Sequence, residues 1–287
     1  MEQRLRVGGV PEHFNLPWQQ ALESGLFANA GLTLDFAFYP TGTGALCADL
    51  RSGQLDLAVL LTEGAICDIV QSGGHRLLGA YVTTPLLWGV HVAAQAPFQT
   101  LSDLEGQTFA ISREGSGSHL MALLLARYQH WTHFPPPFTA GGLEHLEQAL
   151  CAGQAQAFLW EKYTTLPRVK LGTLRCIAEI PTPWPAFVLA ASEACLHSHS
   201  QALRTLLTVL YQQTTTFMQA AEVSCQAVST RFDLSLAEAR AWFESVRWAT
   251  DATLDPHMLA HVLTTLLQAG ILTEPLPPVS ELMARLA

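Results

Sequence analysis

Leu32-Thr33-Leu34-Asp35-Phe36-Ala37-Phe38, then Tyr39-Pro40-Thr41-Gly42-Thr43-Gly44, and, past a short amphipathic segment ending at Ser52-Gly53, Leu57-Ala58-Val59-Leu60-Leu61: these three stretches decide the fold class. In the first, Leu32, Leu34, Phe36 and Phe38 alternate with Thr33, Asp35 and Ala37, the period of two of a half-buried strand. The last is an unbroken apolar strand. Between them lie a polar glycine loop, a helix and a glycine stop, so the order is strand, loop, helix, strand, the βαβ unit of a mainly parallel sheet.

The same alternation extends both ways. Leu5 to Val10 reads as a first strand. It is followed by the loop Pro11-Glu12-His13-Phe14 and a helix over 17–28, in which Trp18, Ala21, Leu22 and Gly25 recur at helical spacing. After Leu61, Thr62-Glu63-Gly64 opens a helix that stops at Ser72-Gly73-Gly74, and a strand from Leu77 to Val82 completes one α/β lobe. From Trp88 the pattern restarts, with a strand through Val90 and Val92, a short helix at Ser102 to Leu104 and a strand from Thr108 to Ser112. The loop Gly115-Ser116-Gly117-Ser118 then leads into a helix from His119 to Tyr128. The run from Ser52 to Leu60 has an echo in Ala152 to Trp160: each leaves a helix through glycine and enters a buried strand.

Past Thr182-Pro183-Trp184-Pro185 the strand Phe187 to Ala190 returns to the first lobe. The remainder is helical, over 201–223, 235–246, 256–269 and 280–286. The expectation is an α/β fold of two Rossmann-like lobes with a ligand cleft between them. Residues 1–84 and 186–287 build lobe one, with the C-terminal helices over it, and 85–185 build lobe two. The hinge falls near Thr84 and Trp184.

Hydrophobic residues make up 49% of the 287 and charged residues 14%, ample for two cores. No run reaches the roughly 18 apolar residues of a membrane span. A net charge of −9 with scattered basic residues argues against nucleic-acid and anionic-membrane surfaces as partners. The six cysteines (Cys47, Cys67, Cys151, Cys176, Cys195, Cys225) show no CxxC spacing and read as buried thiols of a reducing compartment. The opening Met1-Glu2-Gln3-Arg4-Leu5-Arg6-Val7 has no apolar signal core. The expected location is the cytoplasm, or the periplasm if a native leader has been removed.

In open parallel sheets ligands bind beyond the carboxyl ends of the strands. That rule selects Glu12, His13 and Phe14; Thr41, Gly42 and Thr43; Thr62 and Glu63; Ser116, Gly117, Ser118 and His119; Trp160 and Glu161; and Trp184. The two glycine-hydroxyl loops precede helices, where free N–H groups receive an anion or a polar oxygen, or where Thr and Ser simply cap. Neither is a GxxxxGK[ST] loop. Glu12, Glu63 and Glu161 each follow a strand. They fit general acid-base work or, more plainly, hydrogen bonds to the other lobe or to a ligand's amino group. His13 and His119 either contact ligand or cap their own helices. The pairs His257/His261 and His130/His133 lack the companions of a metal site, so no metal and no cofactor are expected. Phe14, Trp160 and Trp184 can flank a planar ligand or pack in the core; Trp18, Trp242 and Trp248 are assigned to packing.

Glu23-Ser24-Gly25-Leu26-Phe27-Ala28-Asn29-Ala30-Gly31-Leu32, Ser52 to Ala58, Leu101-Ser102-Asp103-Leu104-Glu105-Gly106-Gln107, Gly115 to Ser118 and Leu159-Trp160-Glu161 occur in an order that resembles the periplasmic-binding-protein-like type 2 superfamily. Within it the likeness is to the alkanesulfonate, taurine and thiamine-pyrimidine group of transporter substrate-binding proteins, from Leu5 to about Met218. Val10-Pro11-Glu12-His13-Phe14 is similar to a smaller signal-less, stand-alone subgroup. The resemblance implies a venus-flytrap protein without catalytic residues, capturing a small sulfonate-like or thiamine-pyrimidine-like metabolite by lobe closure, with ligand loops on the positions selected above. Its partner would be a transporter permease or a regulatory protein. The alternatives are an enzyme of thiamine-precursor metabolism using His13 or His119 with a glutamate, and a ligand-dependent sensor. The cysteine-rich iron-binding run of the fungal thiamine-pyrimidine synthases does not occur in the sequence.

Overall fold

A computed structural model describes residues 3–286. Along the chain run β1 (Gln3–Gly9), α1 (Leu16–Glu23), α2 (Leu26–Asn29), β2 (Leu32–Phe38), α3 (Thr43–Arg51), β3 (Leu57–Leu61), α4 (Thr62–Ser72) and β4 (His75–Ala93). Then come β5 (Phe109–Ile111), α5 (Gly117–Tyr128), β6 (Phe138–Thr139), α6 (Leu143–Cys151), β7 (Ala157–Glu161), α7 (Lys162–Lys170) and β8 (Leu174–Ser192). The chain closes with α8 (Glu193–Ser198), α9 (Ser200–Gln219), α10 (Ala221–Phe232), α11 (Leu236–Ser245) and α12 (Pro256–Gln268). It divides into two units, Met1–Thr84 with Trp184–Ala287, and Pro85–Pro183. The return point falls two residues earlier than the sequence suggests: Trp184 and Pro185 belong to the first unit, because their partners there are Glu63 and Thr62.

In the first unit the strand order is β2-β1-β3-β8. β1 runs parallel to β2 and β3, and β3 pairs antiparallel with the end of β8 from Leu57↔Ala191 to Leu61↔Phe187. β3 is apolar throughout because it lies inside the sheet with both faces covered. β2 sits at the edge; of its alternating apolar residues only Leu32 is buried, and Phe38 is 45% exposed. Arg6 locks β1 to the start of β3 through a two-pronged pair with Asp56, at 2.9 and 2.7 Å.

The helix expected over 17–28 is two helices, since Gly25 takes a left-handed φ of +71° and breaks it between α1 and α2. The helix expected over 201–223 likewise breaks at Ala220, where the Ser224 hydroxyl turns back to the Phe217 carbonyl at 2.7 Å. The final expected helix, over 280–286, is one short turn at Val279–Glu281. The chain after it pairs with β4 instead, Leu77 donating to the Leu282 carbonyl and Ala284 to the Leu77 carbonyl.

In the second unit β7 is central, antiparallel to the end of β4 and parallel to β5, which is parallel to β6. Ala110, Leu146, Ala149, Leu150, Ala155, Phe158 and Leu174 form its core on the α6 side. The echo between residues 52–60 and 152–160 is structural. Gly53 and Gly153 have φ of +72° and +70°. Gln54 donates to the Asp49 carbonyl as Gln154 does to Ala149, and Asp56 and Gln156 each bond the preceding parallel strand region, at Arg6 and Thr108. Two 19-residue strands, β4 and β8, carry the chain between units; where the sequence suggested one strand from Leu77 to Val82 and another from Trp88, β4 is continuous.

Candidate functional site

In the first unit β3 passes into α4 without a loop: Leu61 is extended, and Thr62 is already helical. Three polar contacts gather the selected residues here. Thr62 Oγ1 donates to the Pro185 carbonyl at 2.6 Å, Leu61 N donates to Thr43 Oγ1 at 3.2 Å, and Trp184 Nε1 donates to Glu63 Oε2 at 2.8 Å. Gly64 permits this closeness, since a Cβ there would stand 2.7 Å from the Thr43 methyl. Thr43, Thr62, Glu63 and Trp184 are therefore one buried polar group.

Glu63 is its chemically unusual member. The residue is 2% exposed, and Oε1, fully buried, makes no hydrogen bond. Loss of water pushes the carboxyl up to about 7, outweighing the hydrogen bonds from its own backbone N–H and from the Trp184 indole, which favour the charged form. Near neutral pH this group is divided between acid and carboxylate.

His13 and Phe14 lie on a single 3-10 turn, His13–Asn15, behind the half-buried Glu12. The Phe14 carbonyl accepts from Tyr81 Oη at 2.7 Å and from Trp248 Nε1 at 3.0 Å. The His13 ring stands edge-on to Trp242 at 4.5 Å, and Phe14 packs on Phe187 at 5.0 Å. Both rings thus belong to an aromatic cluster of the first unit. Thr41 is exposed in the turn before α3, and no side chain caps α3 at Gly42.

In the second unit the hydroxyl loop is occupied with its own helix. Ser116 caps α5, accepting from His119 N at 3.3 Å, and its Oγ meets Ser118 Oγ at 3.0 Å. Ser118 Oγ also accepts from Ser112 N, and Gly115 N donates to His119 Nδ1, both at 3.0 Å. The His119 imidazole is held below its usual pKa by burial. Glu161 caps α7, its Oε2 accepting from Thr164 N at 2.7 Å and from Thr164 Oγ1 at 2.8 Å. Trp160, one residue earlier on the strand, faces the other way and packs on the Leu150 and Phe158 core. Behind Glu161, His91 is buried against Thr165 at 2.9 Å, and burial drives its pKa down to about 4.

Of the selected residues, Thr43, Thr62, Glu63 and Trp184 converge; His13 and Phe14 form a neighbouring aromatic group; Ser116, Gly117, Ser118 and His119 form one capping loop; Trp160 and Glu161 part to opposite faces. Three participants escaped the sequence reading: the Pro185 carbonyl, Tyr81 and, in a polar role, Trp248. The last two show no signal because their work is done by a ring N–H or O–H on a buried aromatic. The histidines of both spaced pairs are exposed.

Comparison with curated proteins gives no match. Residues 88–180 match the family of Ca3427-like periplasmic binding proteins. Among solved structures, the Candida albicans CA3427 gene product, described as defining a family with the generic periplasmic binding protein fold, superposes with a TM-score of 0.90 at 26% identity, covering 97% of this chain and 94% of that one. The alkanesulfonate-binding protein SsuA of Xanthomonas axonopodis pv. citri, bound to MOPS, gives 0.78 at 16% identity over 97% of each chain. The aliphatic sulphonate-binding protein SsuA of Escherichia coli gives 0.75 at 14%, over 100% of this chain and 94% of that one. Both SsuA neighbours are described as binding proteins. The chain accordingly has the periplasmic-binding-protein fold, and its residues 88–180 are similar to the Ca3427-like proteins.

Proposed function

We propose that the chain is a solute-binding protein that captures a small heterocyclic metabolite carrying an N–H donor, of the thiamine-pyrimidine-like kind, by closure of its lobes. The observation that carries this reading is Glu63: a buried carboxyl at the start of α4, fixed by Trp184 through one oxygen and left with a second oxygen that makes no hydrogen bond. A buried acceptor without a partner costs about 1–3 kcal/mol, and a ligand N–H supplies the missing bond. A sulfonate, by contrast, needs donors. The Ser116 and Ser118 hydroxyls that the sequence offered for that purpose accept from His119 N and Ser112 N, and the 3.0 Å contact between their Oγ atoms takes the proton of one of them. The CA3427 and SsuA likenesses support solute binding in general.

The test is calorimetric titration with aminopyrimidines and with alkanesulfonates, on the native chain and on Glu63→Gln. The expected result is aminopyrimidine binding weakened at least about tenfold by the substitution, which corresponds to about 1.4 kcal/mol. Sulfonate binding indifferent to Glu63→Gln overturns the choice of ligand class. Closure itself is read as a ligand-dependent fall in the radius of gyration by small-angle scattering. The proposal keeps the cytoplasm as the compartment and a permease or a regulatory protein as the partner; cell fractionation and ligand-dependent pulldown examine these.

A further inference from the structure

Away from Glu63, side chains from three separate elements of the first unit converge: Cys47 on α3, Asp68 on α4 and His75 at the first residue of β4. One sulfur, one carboxylate oxygen and one ring nitrogen all lie within 4.8 Å of one another, and Asp68 Oδ2 is 3.7 Å from His75 Nδ1. His75 is fully buried, yet neither ring nitrogen makes a hydrogen bond of normal geometry; the Asp68 carboxylate and the Gly73 carbonyl are its polar surroundings. Buried imidazole nitrogens are ordinarily bonded, because leaving them so loses their hydration without return. Cys47 is 1% exposed.

We propose that Cys47, Asp68 and His75 form a binding site for one divalent ion of the zinc type, with three protein ligands and one open position. The donor set is thiolate, imidazole and carboxylate, which suits a borderline transition metal and not magnesium or calcium. Metal–ligand bonds of about 2.0–2.3 Å place tetrahedral ligand atoms about 3.3–3.8 Å apart. The Asp68–His75 separation already falls in that range, and the widest separation closes with side-chain movement of about 1 Å. Thiolate and carboxylate balance the ion's charge. Arg51, ion-paired with Asp68, holds the carboxylate in orientation, the role that outer partners have at metal sites. The sequence expectation of no metal weighed paired histidines on helices; this group has no recognisable spacing. An ion here would tie α3 to α4, whose first turns carry Thr43, Thr62 and Glu63, and the site stands whether or not the ligand proposal does.

The experiment uses the untagged, reduced full chain, stripped with a chelator and titrated with Co2+ and then Zn2+. The expected result is uptake of one ion per chain with a thiolate-to-cobalt charge-transfer band, and loss of that band in Cys47→Ala. X-ray absorption of the zinc-loaded native chain, which needs no variant to fold, is expected to show a single sulfur at about 2.3 Å among nitrogen and oxygen ligands. Failure to take up stoichiometric metal, a coordination shell without sulfur or with two sulfurs, or a band that survives Cys47→Ala would each overturn the site.

Discussion

Replacing Glu63 by glutamine removes an ionisation that folding makes harder. The folded carboxyl titrates at about 7 against an ordinary value of 4.5, because burial outweighs the Trp184 and backbone hydrogen bonds. A raised carboxyl pKa means that the folded state holds the proton more tightly than the unfolded chain does. Its contribution to stability is greatest below about 4.5, falls as pH rises, and levels off above about 7. Over pH 5 to 8 the linkage amounts to about 2–3 kcal/mol lost by the native protein and not by Glu63→Gln. The amide brings a cost of its own, since its NH2 group takes the place of the unbonded oxygen, but that cost does not vary with pH. It cancels when the stability difference between variant and native protein at pH 5 is subtracted from the difference at pH 8. Urea unfolding, followed by tryptophan fluorescence at half-unit intervals, gives the two curves. The difference between them is expected to shift by about 2–3 kcal/mol from pH 5 to pH 8, with the native protein losing ground toward alkali. Parallel curves across pH 5 to 8 refute the assignment of Glu63 as a desolvated carboxyl.

Gly53→Ala and Gly153→Ala are each expected to cost about 1–2 kcal/mol in denaturant unfolding, because both glycines have left-handed φ while a Cβ at either meets nothing within 4 Å. Near-equal losses support the structural echo, and a loss at one alone contradicts it. Tyr81→Phe is expected to cost only about 1 kcal/mol, since the Phe14 carbonyl keeps its bond from Trp248; a loss above about 3 kcal/mol in the same assay would mean that Tyr81 alone holds that turn.

The reach of sequence reading varied with the physics of each feature. β3 was legible because an unbroken apolar pentapeptide between glycine and a helix start has few other fates, and the 52–60 and 152–160 echo because glycine marks a left-handed residue. The length of β4 was not, since Pro85 suggests a break whereas the strand simply continues through it, with that residue exposed. The break at Ala220 also escaped, as it depends on a Ser224 hydroxyl finding a carbonyl seven residues back. At the candidate site, position after a strand was enough to select Glu63. Its bond to Trp184, 121 residues away, lies beyond any local pattern. Strand parity separates Trp160 from Glu161, and adjacency in sequence suggested the opposite. Cys47, Asp68 and His75 were invisible because their meeting is set by how α3, α4 and β4 pack.

The insertion of one unit within the other orders events during synthesis. Residues 85–183 are contiguous and can complete their core as soon as they emerge. The first unit has to wait, because β3 is sealed by β8, and Thr62 meets Pro185 only across a sequence separation of 123. Until then Leu57-Ala58-Val59-Leu60-Leu61 stands as an open apolar strand edge, the kind of surface on which nascent chains aggregate. In the folded inserted unit Leu86 N donates to Thr182 Oγ1 at 2.9 Å, so that unit holds the two ends of the gap together.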